Sequence, residues 1–141
     1  MYYIVARTFT IRLPESTVDH LRHRAERARE APRALAQRYI EEGLRVDEHP
    51  LVRFADGPMG RRAALIGTGL DVWEVVATIR DNDGDPEAAA AYLEKPVQLV
   101  QAAVAYYGAY PAEIDRMIER NQLAAEEAHA AWIAGRDALR R

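Results

Sequence analysis

The chain of 141 residues contains no cysteine, so disulfide scaffolds and zinc sites built from thiolates are excluded. Its one serine, Ser16, stands beside a predicted helix start and not in a Gly-x-Ser-x-Gly elbow. No apolar run approaches the roughly 20 residues that a membrane span needs, and no basic leader opens the chain. We therefore expect a cytoplasmic protein that is not an enzyme, needs no cofactor or metal, and does not enter a membrane.

Apolar residues make up 49% of the chain, which is enough for one or two small domains with their own cores. The charge is unevenly spread along it. Residues 1–46 contain nine arginines and six acidic residues, a net charge of +3, whereas the remaining residues carry −6. The basic N-terminal part favours binding to a polyanion, and the acidic remainder favours binding to a different partner.

Residues 7–13 alternate between polar and apolar side chains, which is the period of a strand with one buried face. β-Branched and aromatic residues favour this conformation, and Pro14 ends the predicted strand because it lacks a backbone donor. The apolar face consists of Phe9, Ile11 and Leu13, and the polar face of Thr8, Thr10 and Arg12.

Two helices are predicted after this strand. From Glu15 the apolar spacing changes to three and four residues, which predicts a helix, and Pro32 suits the first turn of a second helix. A strand and two helices in 46 residues bury too little surface to fold alone. We expect two copies of the chain to pair their strands in antiparallel orientation about a twofold axis. The predicted inward residues are Val18, Leu21, Ala25 and Ala28 on the first helix and Leu35, Tyr39, Ile40 and Leu44 on the second.

The order of these elements resembles the ribbon-helix-helix repressors of the Arc/MetJ type. The residues that carry the resemblance are Thr-Phe-Thr-Ile-Arg-Leu-Pro-Glu (8–15), then a helix, then Ala-Gln-Arg-Tyr-Ile-Glu-Glu-Gly-Leu-Arg (36–45). The resemblance implies a swapped, obligate dimer whose two-stranded ribbon enters the major groove of DNA.

Five residues are predicted to contact DNA. Arg can bond guanine through two N–H groups, and Thr offers a hydroxyl and a methyl group, so Thr8, Thr10 and Arg12 are candidates for base edges. The alternative is the ordinary polar face of an exposed edge strand. At the start of the second helix, Arg33 and the N–H of Ala34 are candidates for a phosphate, because free N–H groups and the helix dipole favour an anion there. The alternative at that position is a solvated Arg33 on an ordinary proline-initiated helix.

After a polar break at residues 47–50, a second domain is predicted. Two short strands, 51–54 and 62–66, flank a turn rich in glycine and proline and predict a hairpin. Asp71 is predicted to cap the first of three helices, and Asp85 with Pro86 to begin the second. The third helix begins at Pro96, and its predicted inward residues are Val97, Val100, Val104 and Tyr107.

A final helix is predicted from about residue 112 to about residue 138, with an apolar and small-residue seam every 3.5 positions. Such a seam is typical of a helix packed along another helix or a groove. It either folds back on its own bundle or on a dimer mate, or it docks onto a partner protein. The seam is Ile114, Ile118, Asn121, Ala125, Ala128, Trp132, Gly135 and Leu139. The predicted partner-binding residues are Ile114, Ile118, Trp132, Ile133 and Arg136.

The middle of the chain carries a second resemblance. It rests on Gly-Arg-Arg-Ala-Ala-Leu-Ile-Gly-Thr-Gly-Leu-Asp-Val-Trp-Glu-Val-Val (60–76) and Ala-Ala-Val-Ala-Tyr-Tyr-Gly-Ala-Tyr-Pro-Ala-Glu-Ile-Asp (102–115). These stretches resemble a small domain of unknown function that recurs in bacterial antitoxin-like proteins encoded beside PIN-domain toxins. The resemblance implies a short hairpin, a trihelical helix-turn-helix-like bundle and an extended terminal helix.

The predicted fold is mainly α with little β. Residues 1–46 form a ribbon-helix-helix domain for DNA binding and dimerisation, residues 51–110 the hairpin and trihelical domain, and residues 111–141 a helix for partner or self packing. The predicted function is that of an antitoxin and autorepressor. It binds operator DNA as a homodimer or a dimer of dimers and neutralises a cognate toxin, by resemblance a PIN-domain ribonuclease. The alternatives are a stand-alone regulator whose second domain oligomerises or senses a ligand, and an interaction protein whose ribbon binds no DNA.

Overall fold

Helices dominate the part of the chain that the computed structural model describes, residues 5–141. Residues 1–4 of the predicted domain 1–46 lie outside the described residues. In chain order the elements are α1 (Glu15–Ala28), α2 (Pro32–Glu48), β1 (Val52–Ala55), β2 (Arg62–Leu65), α3 (Val72–Asp81), α4 (Pro86–Leu93), α5 (Val97–Ala109) and α6 (Pro111–Leu139). The prediction of a mainly helical fold with one small hairpin is confirmed.

The chain divides into two compact units, one up to Leu44 and the other from Arg45 onward. The division lies within α2, two residues before the predicted end of the first domain at residue 46. Within the second unit, the Arg45 guanidinium binds the side chains of Tyr106 on α5 and Glu113 on α6.

The first unit has a small interior. Its buried apolar residues are Ala25 on α1 and Leu35 on α2. Residues 5–14, which include the predicted strand, form no strand or bridge with any other described segment. A ribbon strand needs the strand of a second copy as its partner, so its pairing stays a prediction.

The second unit begins with the hairpin. β1 and β2 pair in antiparallel register, with Val52 opposite Leu65 and Ala55 opposite Arg62. The chain then turns through Gly67 and Gly69, whose φ angles of 73° and 69° lie in the region that favours glycine. This turn leads directly into α3.

Aspartates begin α3 and α4, as predicted. Asp71 and Glu74 form a capping box. The Asp71 carboxylate accepts the backbone N–H of Glu74, and the Glu74 carboxylate accepts the backbone N–H of Asp71. At α4 the Asp85 carboxylate accepts the N–H of Glu87 at 3.0 Å, and Pro86 fills the first helical position. Both predicted caps are confirmed.

The core of the second unit lies between the hairpin, α3, α4, α5 and the first turns of α6. Along α5 it takes Val100, Ala103 and Tyr106, while Val97 and Tyr107 pack at its margin. The prediction that Val104 points inward was wrong, since it is 40% exposed. The small Ala103 is fully buried, and Val104, one residue further, lies about 100° around the helix.

α6 is a single helix of 29 residues and confirms the predicted long C-terminal helix. Its first turns pack on α3 and α5 and bury Ile114 and Met117. From residue 122 onward most of its side chains are exposed. Within residues 5–141, no helix combines the length and the apolar character required to cross a membrane.

Candidate functional site

The side chains predicted to read DNA lie in the segment that precedes α1. Thr8, Thr10 and Arg12 are all exposed to solvent, and none of them is bonded to another described residue. Their hydroxyl and guanidinium groups are therefore available to a ligand. Base contact by these residues stays a prediction.

The apolar residues of this unit are exposed as well. Phe9, whose side chain should lie in an interior, is 82% exposed, and Ile11 is 50% exposed. Isolated apolar side chains on a surface are normal, but here they are spread over one small unit that has little interior of its own. The exposed large apolar residues of the unit are Val5, Phe9, Ile11, Leu13, Tyr39, Ile40 and Leu44.

The predicted phosphate site lies at the start of α2. The helix begins at Pro32, as predicted, and Arg33 and Ala34 are exposed in its first turn. The N–H of Leu35 makes the bond to the carbonyl of Ala31. The N–H groups of Arg33 and Ala34 precede it at the helix end, where an anion is favoured.

A partly buried polar cluster joins the last turn of α2 to α5 and α6. Arg45 donates to the Tyr106 hydroxyl at 2.8 Å and to Glu113 at 2.7 Å, and Tyr106 donates to the other oxygen of Glu113 at 2.6 Å. The Arg45 guanidinium also lies 4.0 Å from the centre of the Tyr110 ring, and His49 meets the Tyr106 ring edge-on. Tyr106 is fully buried, whereas the side chains of Arg45 and Glu113 are 25% and 33% exposed. We call these three residues the buried triad, after Tyr106.

The electrostatics of the buried triad follow from its geometry. Burial raises the pKa of Tyr106, and its hydrogen bond to Glu113 raises it further. For Arg45, burial is the largest effect and opposes the charged form, but the hydrogen bonds and charges of Glu113 and Tyr106 together outweigh it, and the pKa of Arg45 is raised. Tyr106 is thus held as a neutral donor and Arg45 as a cation, which suits a structural clamp.

A second group of an arginine, a tyrosine and a carboxylate lies on the surface. Arg80 of α3 and the Tyr107 hydroxyl of α5 both donate to one oxygen of Asp115, at 2.7 and 2.9 Å. The bonds from Arg80 and Tyr107 lower the pKa of the Asp115 carboxyl. We call these three residues the exposed triad. The two triads fix the first turn of α6 to α5 on both sides.

A third polar network holds the hairpin to α3. The buried Asp71 carboxylate, at the start of α3, accepts the Arg62 Nε–H at 2.9 Å and the Trp73 indole N–H at 3.1 Å. Arg62 also donates to the backbone carbonyl of Asp56 at 2.6 Å. A cavity of about 290 Å³ opens beside this network, lined by residues of the hairpin turn, the first turn of α3, and Met117 and Asn121 of α6.

The predicted partner-binding residues fall into two groups along α6. Ile114 is fully buried in the core of its own unit, so its assignment to a partner surface was wrong. Ile118 packs partly against the same core. Trp132 is 63% exposed, Ile133 is half-buried, and Arg136 is exposed with a weak ion pair to Asp137 at 3.7 Å. The C-terminal half of α6 is therefore the part available to a partner.

Sequence reasoning missed both triads. The available signal was the pair Tyr106-Tyr107 followed, across the break at Tyr110-Pro111, by the acids Glu113 and Asp115. The bonded acids lie seven and eight residues after their tyrosines. The arginines that complete the triads come from distant segments and leave no local pattern.

Neither a protein-family model nor a curated protein nor a solved structure matches the chain. A function for it rests on the residues and surfaces described above.

Proposed function

We propose that the protein is a DNA-binding antitoxin and autorepressor. Two copies pair their N-terminal strands into a ribbon that reads operator DNA, and the C-terminal part of each copy binds and neutralises a toxin, by resemblance a PIN-domain ribonuclease. Neither activity requires covalent chemistry: repression excludes the polymerase, and neutralisation blocks the toxin's active site.

The observation that carries the proposal is the uncovered apolar surface of the first unit. Phe9, Ile11 and Leu13, at alternate positions, are exposed together with Tyr39 and other apolar residues of α2. Burial of one such side chain is worth about 1.5–3 kcal/mol. A second copy that covers this surface supplies the interior that the single unit lacks, and pairing of two strands satisfies their backbone donors and acceptors.

Pairing through the apolar face leaves the opposite face free. In a ribbon, Thr8, Thr10 and Arg12 alternate with the buried residues and therefore point away from the dimer interior. A two-stranded ribbon fits the major groove, where Arg and Thr can distinguish base pairs. The net charge of +3 on residues 1–46 favours approach to a polyanion.

The toxin-binding surface is proposed to be the exposed half of α6. Trp132 offers a large apolar anchor, and anchors of this kind dominate binding energies at protein interfaces. Ile133 and Arg136 lie beside it, and Arg136 or Arg140 is suited to reach an acidic metal site of the toxin. Ile118 borders the surface where α6 leaves the core.

DNA reading is tested by comparing two arginine variants. Binding of the full chain to the DNA upstream of its gene is measured at several salt concentrations, for wild type, Arg12→Ala and the control Arg22→Ala, which removes the same charge from exposed α1. Base reading predicts that Arg12→Ala abolishes the preference over unrelated DNA, whereas Arg22→Ala keeps it. If both variants bind all DNA sequences more weakly by the same factor, Arg12 contacts only phosphates, and the proposal is wrong.

Neutralisation is tested separately. The protein is co-expressed with the product of the adjoining gene, and growth rescue and co-purification of the two proteins are scored. The proposal predicts rescue by wild type and loss of rescue with Trp132→Ala, while Tyr92→Ala, which removes an exposed aromatic from α4, keeps it. Growth inhibition that persists despite wild-type protein contradicts an antitoxin role.

One observation favours a ligand-sensing regulator as the second candidate. The cavity beside Trp73 has a volume of about 290 Å³, close to the lower limit for small-molecule sites. Arg62 and Glu74 contribute polar groups to its wall. In a Trp132→Phe background, Trp73 is the remaining indole and its fluorescence reports ligand entry. A change of DNA affinity caused by the same ligand would favour the sensor over the antitoxin.

A further inference from the structure

The cavity beside Trp73, of about 290 Å³, lies between the hairpin turn, the start of α3 and one face of α6. Small-molecule sites usually combine apolar walls with a few polar groups, and this cavity has both. Its apolar side chains include Met59, Trp73 and Met117, and its polar ones include Arg62, Glu74 and Asn121.

Bonds within the protein hold the walls of the cavity in place. The N–H groups of Gly57 and Gly60 each donate to the carbonyl of the other residue, at 3.1 and 2.9 Å, and close the hairpin turn. Arg120 of α6 donates to the carbonyl of Met59 at 3.3 Å and ties this turn to α6. Gly57 lies so close to Arg62 that a Cβ at this position would overlap the Nη1 atom. The cavity is therefore formed before any ligand enters.

Much of the donor capacity around the cavity is already used. Arg62 gives its Nε–H to Asp71 and an Nη1–H to a backbone carbonyl. Trp73 gives its indole N–H to the other oxygen of Asp71, and the Asn121 amide nitrogen donates to the carbonyl of Met117 at 2.7 Å. Arg62 and Asp71 form an ion pair at 2.9 Å, so their charges balance each other.

Acceptors without a partner remain. The Glu74 carboxylate is half-buried, and its Oε1 accepts the Asp71 N–H at 3.0 Å. Within residues 5–141, its Oε2 accepts no bond and the carboxylate has no ion pair, and the amide oxygen of Asn121 accepts no bond either. One arginine and two acids line the cavity, a net charge of −1 that belongs to Glu74. A half-buried carboxylate without a cation favours a positively charged ligand.

The apolar walls determine what else the ligand should contain. The face of an indole attracts an organic cation, and methionine sulfur packs well against aromatic rings. Met117 is 8% exposed and Trp73 is half-buried, so both offer surface that an apolar group can cover. A divalent metal ion fits less well because it needs more oxygen ligands than one carboxylate and one amide. No group of three residues able to hold a metal occurs in the described part of the chain.

We propose that this cavity binds a small organic ammonium ion. The N–H groups of the ammonium donate to Glu74 Oε2 and Asn121 Oδ1, and its apolar body packs between Trp73, Met59 and Met117. The inference names a ligand class for the cavity on which the second candidate function rests. Binding of the ammonium ion requires neither DNA nor a toxin.

Three ligands that share one ring but differ in charge test the proposal: benzylamine, benzyl alcohol and benzoate. Each is titrated into the full chain carrying Trp132→Phe, in which the fluorescence of Trp73 reports binding. A hydrogen-bonded charge pair predicts that benzylamine binds at least about tenfold more tightly than benzyl alcohol, with benzoate weakest. Equal affinity for all three ligands, tighter binding of benzoate, or no response to benzylamine would each overturn the proposal.

Two matched substitutions locate the charge that selects the ligand. Glu74→Gln keeps an acceptor for the Asp71 N–H but removes the charge, and it should abolish the preference for benzylamine over benzyl alcohol. The control Glu87→Gln removes a carboxylate from the exposed first turn of α4, outside the cavity, and should keep the preference. Thermal unfolding verifies that both variants are folded. If folded Glu74→Gln keeps the preference, the proposal is wrong.

Failure of this proposal is distinguishable from failure of the proposed function. The titrations contain neither DNA nor toxin, and the Arg12→Ala comparison and the growth rescue contain no amine. A chain that binds operator DNA and rescues growth but ignores benzylamine would contradict the ammonium site alone.

Discussion

Tyr106 donates its hydroxyl hydrogen to Glu113 at 2.6 Å across the break between α5 and α6. The donor of this bond is a fully buried side chain, whereas its counterpart, the bond from Tyr107 to Asp115, is exposed to solvent. Two adjacent tyrosines thus anchor two nearly adjacent acids in settings that differ in burial. Because an unsatisfied polar group costs more in an interior than in water, the two anchors should contribute unequally to the stability of the second unit.

The first prediction compares the two tyrosines. Tyr106→Phe leaves Glu113 and Arg45 without the buried hydroxyl, and we expect a loss of about 1–3 kcal/mol in the free energy of unfolding. Tyr107→Phe, the same change in the exposed triad, should cost far less because water replaces the lost bond. Urea denaturation of both variants measures the difference. Equal losses in the two variants would show that the Tyr106 hydroxyl contributes no more to stability than the Tyr107 hydroxyl.

The second prediction concerns high pH. The pKa of Tyr106 is raised in the folded chain, so the folded state retains this proton at pH values where the unfolded chain has released it. Its contribution to stability is complete below the unfolded pKa of about 10 and is lost as the pH rises toward the folded pKa. The urea midpoint of wild type should fall between about pH 9 and pH 11, and that of Tyr106→Phe should fall less. If the urea midpoints of wild type and Tyr106→Phe fall by the same amount, the effect does not come from Tyr106.

The third prediction separates a cap from a network. Asp71 and Asp85 both cap helices, but Asp71 also holds Arg62 and the indole of Trp73. Asp85→Ala should cost about 0.5–2 kcal/mol, as loss of a cap does. Asp71→Ala should cost more, because it also leaves Arg62 without its carboxylate. Thermal unfolding of the two variants tests the order, and a larger loss with Asp85→Ala would reverse the interpretation.

The sequence carried enough information to place Asp71, Asp85, Pro86 and the extent of α6, because caps, proline positions and apolar periods are local signals. It did not reveal the partners of Arg45, which lie 61 and 68 residues away. It also misassigned Ile114, since a regular seam does not show where along a helix the core ends. Val104 was misassigned because its size favoured an inward position, whereas the inner face of α5 passes through the smaller, fully buried Ala103.

The fourth prediction concerns the two faces of the N-terminal segment. Ile11→Asp places a charge on the apolar face and should prevent association of the chain, while Thr10→Asp on the other face should leave association intact and abolish DNA binding. Sedimentation velocity at micromolar concentration and fluorescence anisotropy with operator DNA measure the two effects. If Ile11→Asp associates as wild type does, the apolar face is not the dimer interface.

Hydrogen exchange of the backbone amides of residues 7–13 tests the central claim, that this segment is a strand paired with a second copy. In the single chain these amides bond to no described residue and would exchange freely. The paired ribbon predicts slow exchange in wild type at micromolar concentration and rapid exchange in Ile11→Asp. Rapid exchange in wild type, together with a monomeric mass at the same concentration, would contradict the account.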